Sequence, residues 1–166
     1  ELAEVSPGDT VVVFGCGPIG LGMILWLVDR GVTDVVALDL APQRRERAMA
    51  LGARTALDPT TVDLRAELAK LHGEVRSYGR VGVGTGAYID AAGAPNILAD
   101  VITMARFHAR MVITAAYMKP VEVPLGRMLT SEMTITTAMG YPTEMPEVVA
   151  AMPRLKDKIA SMISHN

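Results

Sequence analysis

The chain has 166 residues, of which 50% are hydrophobic and 20% charged, with a formal net charge of −2. That length suits one domain with a sizeable core, and the apolar content excludes a disordered chain. The near-neutral balance gives no reason to expect nucleic acid or an anionic membrane as partner, and the single cysteine, Cys16, excludes an internal disulfide or a thiolate-rich metal cluster.

The chain starts at Glu1 without an initiator Met and reaches its first strand within ten residues, so it is expected to be a piece of a larger protein. It carries no secretory or targeting segment, which predicts a cytoplasmic location. Pro7-Gly8-Asp9 makes a turn. Val11-Val12-Val13-Phe14 then reads as a strand running into Gly15-Cys16-Gly17-Pro18-Ile19-Gly20, followed by an apolar helix over about Pro18–Arg30 that stops at Gly31. The stretch from Thr10 to Val28 is uncharged, but its glycines and Pro18 break it, and the remaining helix is too short to cross a bilayer. That helix is apolar almost all round, from Ile19 to Val28, so cover from a missing partner domain is expected.

A second strand, about Asp34–Leu38, ends in Asp39, about 20 residues past the last glycine, which is the spacing of the dinucleotide-binding fingerprint. Gly15 permits the sharp exit from the strand, Gly17 lets a diphosphate approach the backbone, and Gly20 lets helix and sheet pack closely. Pro18 suits the first helical turn, and the helix N-terminus around Ile19 offers free N–H groups and partial positive charge. Asp39 can accept hydrogen bonds from both adenosine ribose hydroxyls, each worth roughly 1.5–3 kcal/mol, and would repel a 2′-phosphate. NAD is therefore expected over NADP.

After Pro42 a helix carries Gln43, Arg44, Arg45, Glu46 and Arg47, with Ala48, Met49 and Leu51 facing the sheet and Gly52 ending it. Arg44 is either a planar cation lying against the adenine or an exposed helix arginine. Thr55–Leu57 is a third strand, and Thr61–Leu71 an amphipathic helix with Leu64, Leu68 and Leu71 on one face. His72–Gly86 is rich in glycine, but no Lys-Ser/Thr pair follows, so it reads as a mobile surface loop rather than a P-loop. Ala87–Gly93 is strand four with its turn, placing Ala91 and Ala92 at the carboxyl edge where a ligand would lie. A helix over about Asn96–Arg106 leads to strand five, Ala109–Ala115, so Thr114, Ala115 and Ala116 fall where a nicotinamide would sit.

Met133–Ala138 is a last strand, and Gly140-Tyr141-Pro142 turns into a helix over about Glu144–Met152; the Lys156-Asp157-Lys158 run is a solvated helix face. As an exposed edge, 133–138 is expected to pair with its own copy across a two-fold axis, giving a homodimer. The alternation predicts an α/β fold, a Rossmann-type doubly wound parallel sheet of six strands in order 3-2-1-4-5-6 with helices on both faces, as one domain over 1–166.

Ser6-Pro7-Gly8-Asp9-Thr10, the glycine turn, Asp39, Arg44, Leu51-Gly52-Ala53, Asp90-Ala91-Ala92-Gly93-Ala94-Pro95 and finally Ile163-Ser164-His165 resemble the zinc-type alcohol dehydrogenases, the medium-chain dehydrogenases. The resemblance implies a cofactor domain that binds NAD in a cleft shared with a zinc-bearing catalytic domain outside this sequence. The parent would hold an alcohol oxygen on zinc and pass hydride between an alcohol and the nicotinamide, yielding a ketone or aldehyde, while the fragment alone would bind cofactor without chemistry. His72–Gly86 departs from the family's shorter approach to strand four. Cys16, His72, His108 and His165 show no metal-ligand spacing. A short-chain dehydrogenase would need Tyr followed four residues later by Lys, which Tyr78, Tyr88, Tyr117 and Tyr141 lack. A methyltransferase usually has an acid before its first glycine, where this chain has Val13-Phe14. The remaining rival is a regulatory nucleotide-sensing module.

Overall fold

The computed structural model describes residues 3–140 and 144–163. The glycine and β-branched patterning yields β1 (Thr10–Phe14), α1 (Pro18–Asp29), β2 (Asp34–Leu38), α2 (Pro42–Leu51), β3 (Thr55–Leu57) and α3 (Leu64–His72). There follow β4 (Glu74–Ser77), β5 (Arg80–Val83), β6 (Ala87–Asp90), α4 (Ile97–Met104), β7 (Arg110–Ile113), α5 (Leu125–Ser131), β8 (Thr134–Thr137) and α6 (Met145–Met162). Six strands form one parallel sheet in the order β3-β2-β1-β6-β7-β8. The expected 3-2-1-4-5-6 numbering is interrupted because β4 and β5 intervene in the chain without joining that sheet.

Side chains alternate between the two faces, as the period of a strand requires. Val11, Val13, Val35, Ala37 and Ile89 point to a core closed by α1, α2 and α6. Val12, Phe14, Val36, Leu38, Tyr88 and Met111 point to a second core under α3 and α4, with Met128 of α5 packed against it. A sheet buried on both faces explains why its central strands read as unbroken apolar runs. The cover that α1 was expected to draw from a missing domain comes in part from this chain, because α2 and α6 share its core through Ala48, Leu51, Ala151 and Leu155.

Several boundaries differ from the sequence reading. In place of a mobile loop, 72–86 holds an antiparallel hairpin whose tip, Tyr78-Gly79, has φ of 46° and 75°, the left-handed pair of a tight hairpin turn. Two of its glycines serve close packing: a Cβ at Gly82 would lie 2.5 Å from Arg106 Cα, and one at Gly84 would strike the His72 carbonyl oxygen. Arg65 Nη2 donates to the Val81 carbonyl at 3.0 Å, Arg80 donates to Thr130 Oγ1, and the Gly84 N–H donates to the Gly73 carbonyl at 2.8 Å. Helix α3 starts three residues later than expected, after Asp63, whose carboxylate caps the Ala66 N–H at 3.0 Å. Met49 is exposed rather than facing the sheet, leaving Ala48 and Leu51 as the buried pair of α2.

Strand five is shorter than expected, so Thr114 and Ala115 follow it. Between β7 and β8 lies α5, which the sequence reading left out; parallel neighbours require such a crossover. The last helix runs through Pro153 to Met162 instead of ending at Met152. Tyr141, Pro142, Ser164 and His165 lie outside the described residues.

Candidate functional site at the carboxyl edge

Strand register lines up Leu57, Leu38, Phe14, Asp90, Ile113 and Thr137 in one row across the sheet. The residues singled out from the sequence follow directly on that row, so the fold gathers them along one edge. This is where ligands of open parallel sheets lie.

The first βα turn is fixed by short contacts. Gly15 adopts φ 87° and its N–H donates to the Leu38 carbonyl at 2.7 Å. Gly20 must lack a side chain, because a Cβ there would strike the Gly15 carbonyl oxygen. At Gly17 nothing lies within 4 Å of where a Cβ would stand, so the backbone there is open to an approaching group. Gly17 is the N-cap of α1, no side chain accepts from its first turn, and Pro18 brings no N–H. The Ile19 and Gly20 amides therefore have no intrahelical acceptor, the ordinary state of an anion-binding helix end.

Asp39 sits beside this turn with its side chain 8% exposed. Its Oδ2 accepts from the Cys16 N–H at 2.7 Å and its Oδ1 from the Ala41 N–H at 2.8 Å. Each oxygen retains a second lone pair. The carboxylate is thus locked to the glycine turn before any ligand arrives. Arg44 is half exposed, its Nη1 3.8 Å from Asp39 Oδ2. The neighbouring Arg45 is the more firmly placed: Nη1 donates to the Asp39 and Leu40 carbonyls, both at 2.8 Å, and to Asp58 at 3.2 Å. Sequence reasoning passed over Arg45, since two adjacent helix arginines look alike until the turn they face is known. Cys16 is fully buried, its Sγ 3.8 Å from the Leu38 carbonyl, and burial, assisted by the Asp39 charge, pushes its thiol up to about 12. It therefore stays a protonated, unreactive wall of the turn.

Ala91, Ala92, Thr114, Ala115 and Ala116 form the other half of the edge. The Ala91 N–H donates to the Phe14 carbonyl at 2.8 Å, and a Cβ on Gly15 would stand 3.0 Å from Ala92, so the first turn touches the 91–93 turn. Gly93 in turn lies against Ala115 and Ala116. Asp90 organises this half. Fully buried, it accepts through Oδ1 from the Ala92 and Gly93 amides at 2.9 Å and through Oδ2 from the Tyr117 hydroxyl at 2.5 Å. Its carbonyl accepts from the Thr114 hydroxyl and amide, both at 2.9 Å, and from the Ala115 amide at 3.1 Å.

Among the described residues, no three His, Cys, Asp or Glu side chains converge as metal ligands. His72 is buried at the end of α3, with Nδ1 2.8 Å from Thr85 Oγ1, and His108 is an exposed partner of Glu132 at 3.1 Å. No helix among them is long and apolar enough to cross a membrane.

The chain matches the family model described as zinc-binding dehydrogenase over residues 18–154. It is 32% identical over 151 residues to (R,R)-butanediol dehydrogenase of Bacillus subtilis, covering 90% of this chain and 41% of that protein. Erythritol/L-threitol dehydrogenase of Mycolicibacterium smegmatis is 33% identical over 112 residues, 68% of this chain and 29% of the relative. Among solved structures, 2R,3R-butanediol dehydrogenase from Bacillus subtilis superposes with a TM-score of 0.81 at 31% identity, over 94% of this chain and 43% of that one. An alcohol dehydrogenase of Escherichia coli, RspB, complexed with NADH, gives 0.80 at 27% identity, over 92% and 42%. The chain spans less than half the length of these relatives.

Proposed function

This chain belongs to the zinc-binding dehydrogenase family, and from that premise we propose that residues 1–166 form the NAD-binding domain of an oxidoreductase that moves hydride between an alcohol and NAD. The observation that carries the reading is the join between Asp39 and the glycine turn: one hydrogen bond, from the Cys16 amide, fixes a ribose-binding acid beside an uncapped helix whose entry at Gly17 is open. The NADH complex of the RspB relative supports the choice of a nicotinamide cofactor.

When bound, the dinucleotide supplies the hydride acceptor or donor. The Gly15–Gly20 turn and its free Ile19 and Gly20 amides take the diphosphate, with Pro18 setting the first turn. Asp39 accepts from the ribose hydroxyls, and Arg44 lies at the adenine side. Ala91, Ala92, Thr114, Ala115 and Ala116 line the nicotinamide half with small side chains that leave room for the ring. A 2′-phosphate would meet the Asp39 carboxylate, and Arg45 is already committed to two carbonyls and Asp58.

Zinc and the alcohol-binding residues are assigned to the rest of the parent protein, as the resemblance to the zinc-type alcohol dehydrogenases implies. These 166 residues alone bind cofactor without turning over substrate. The parent is a cytoplasmic protein acting on a small alcohol or the matching ketone or aldehyde, and it dimerises through edge strand 133–138. A second reading is a regulatory nucleotide-sensing module, which would share the glycine turn and the strand-end acid Asp39.

Titrating the chain and its full-length parent with NADH and assaying alcohol oxidation tests the proposal. Binding by both with turnover only in the parent is expected, whereas a parent without zinc and turnover favours the sensor. Asp39→Gly is expected to weaken NAD binding about tenfold and bring NADP level with it. An unchanged NAD to NADP affinity ratio would remove Asp39 from its role.

A further inference from the structure

The Tyr117 hydroxyl donates to a carboxylate that has no exposed surface, and that same carboxylate holds the turn following β6. Through the Asp90 backbone carbonyl the same residue holds the segment following β7. Tyr117 comes from that second segment, so its hydrogen bond closes a ring: β6 end, Asp90 side chain, Tyr117, and back along 117–114 to the Asp90 carbonyl. Gly93 packed 3.0 Å from the Ala116 carbonyl, measured from where its Cβ would be, shows how little slack the ring contains. The 91–93 turn packs against Gly15, but the Asp39 carboxylate has its own partners in the Cys16 and Ala41 amides, and the Asp39 carbonyl accepts from Arg45.

We propose that Tyr117 is a positioning residue for the nicotinamide half of the cofactor, acting through Asp90 to set the relative placement of the 91–93 turn and the 114–116 segment. The inference rests on the reading that this edge binds NAD. The sheet order supplies the polarity: β2 and its Asp39 lie on one side of β1, while β6 and β7 lie on the other, so a dinucleotide crossing at β1 puts its adenosine on the former and its nicotinamide on the latter. A clamp between the β6 and β7 ends therefore bears on one half of the ligand. Burial, together with the hydrogen bond to Asp90, also raises the phenol's pKa above the ordinary tyrosine value, so the donor keeps its proton in alkaline solution.

Tyr117→Phe removes the hydroxyl and leaves the ring. In the full chain, affinities for NADH and for ADP-ribose, which lacks the nicotinamide, are measured by calorimetry beside a thermal melt. The variant is expected to bind NADH about five- to tenfold more weakly while holding ADP-ribose within about twofold of the wild type. NADH affinity that does not move, or NADH and ADP-ribose affinities that fall together, overturns the role, whatever the melt shows. Failure of the underlying reading looks different: the unmodified chain then binds neither ligand.

Discussion

Gly17 and Gly20 stand three residues apart in one turn and guard different properties. A methyl group at Gly20 meets the Gly15 carbonyl, so Gly20→Ala has to push the turn off the sheet, at about 1–3 kcal/mol. The thermal midpoint of that variant is expected to drop by several degrees. A methyl group at Gly17 meets nothing, and φ −72° with ψ −175° is extended backbone open to alanine. Gly17→Ala is therefore expected to melt within a few degrees of wild type, losing about 1 kcal/mol at most as a poorer N-cap, yet to bind NADH at least tenfold more weakly. A parallel fall in stability and affinity for both variants would contradict this division. These positions were legible because a glycine turn is local chemistry, written in consecutive residues. Tyr117 was not, since its partner lies 27 residues earlier and nothing near it in sequence reports that a buried carboxylate needs a donor. The anchoring of Arg45 was equally hidden, because it depends on its side chain reaching back to the Leu40 carbonyl.

At the scale of elements, α6 carries a proline that a helix interior ordinarily rejects, at a cost of about 3 kcal/mol. The sequence reading ended the helix at about Met152, one residue before the proline. What continues it is the face formed by Ala151, Leu155, Ile159 and Met162 against the core, with Arg154 donating twice to Asp29, at 3.1 and 2.6 Å. Tertiary packing outweighs the local preference. Pro153→Ala is accordingly expected to stabilise the fold by about 1–3 kcal/mol, read as a higher thermal midpoint; a lower one would show the proline to be needed. The hairpin was missed for a related reason, since Gly82 and Gly84, read as freedom, are sites of close contact.

His72 ties α3 to β2. Its side chain is wholly buried, Nε2 lies 3.4 Å from Asp34 Oδ1 without a well-formed hydrogen bond, and burial lowers its pKa despite the pull of Asp34. Protonation is then harder in the folded chain than in the unfolded one. Stability is full above the ordinary histidine value of about 6.5 and declines as pH falls from there toward the lowered folded value. Urea midpoints of the wild type should fall between pH 7 and pH 5, and His72→Gln should flatten that slope; equal slopes would assign the acid sensitivity elsewhere.

The sheet ends in two edge strands, β8 with four residues and β3 with three, and the longer is the proposed site of pairing. A paired edge of this kind gives a dimer whose association is lost when the edge is blocked. Sedimentation should find two copies in wild-type protein and one after Ile135→Pro, and a wild-type monomer with the strand intact would remove the proposed interface. The sheet order was readable because alternating strands and helices leave few topologies, while the excursion between α3 and β6 and the short crossover helix α5 escaped that logic.

That excursion has its two feet together: the Gly84 amide meets the Gly73 carbonyl, and Gly84 in turn accepts from the Thr10 hydroxyl at the start of β1. Seen from the remaining polypeptide, ten residues depart and return at a single point on the rim opposite the carboxyl edge. With Gly82 and Val83 packed on Arg106 and Ala105, the base of this ribbon is part of the body, and only its Tyr78-Gly79 tip is free to change length without reaching the opposite rim.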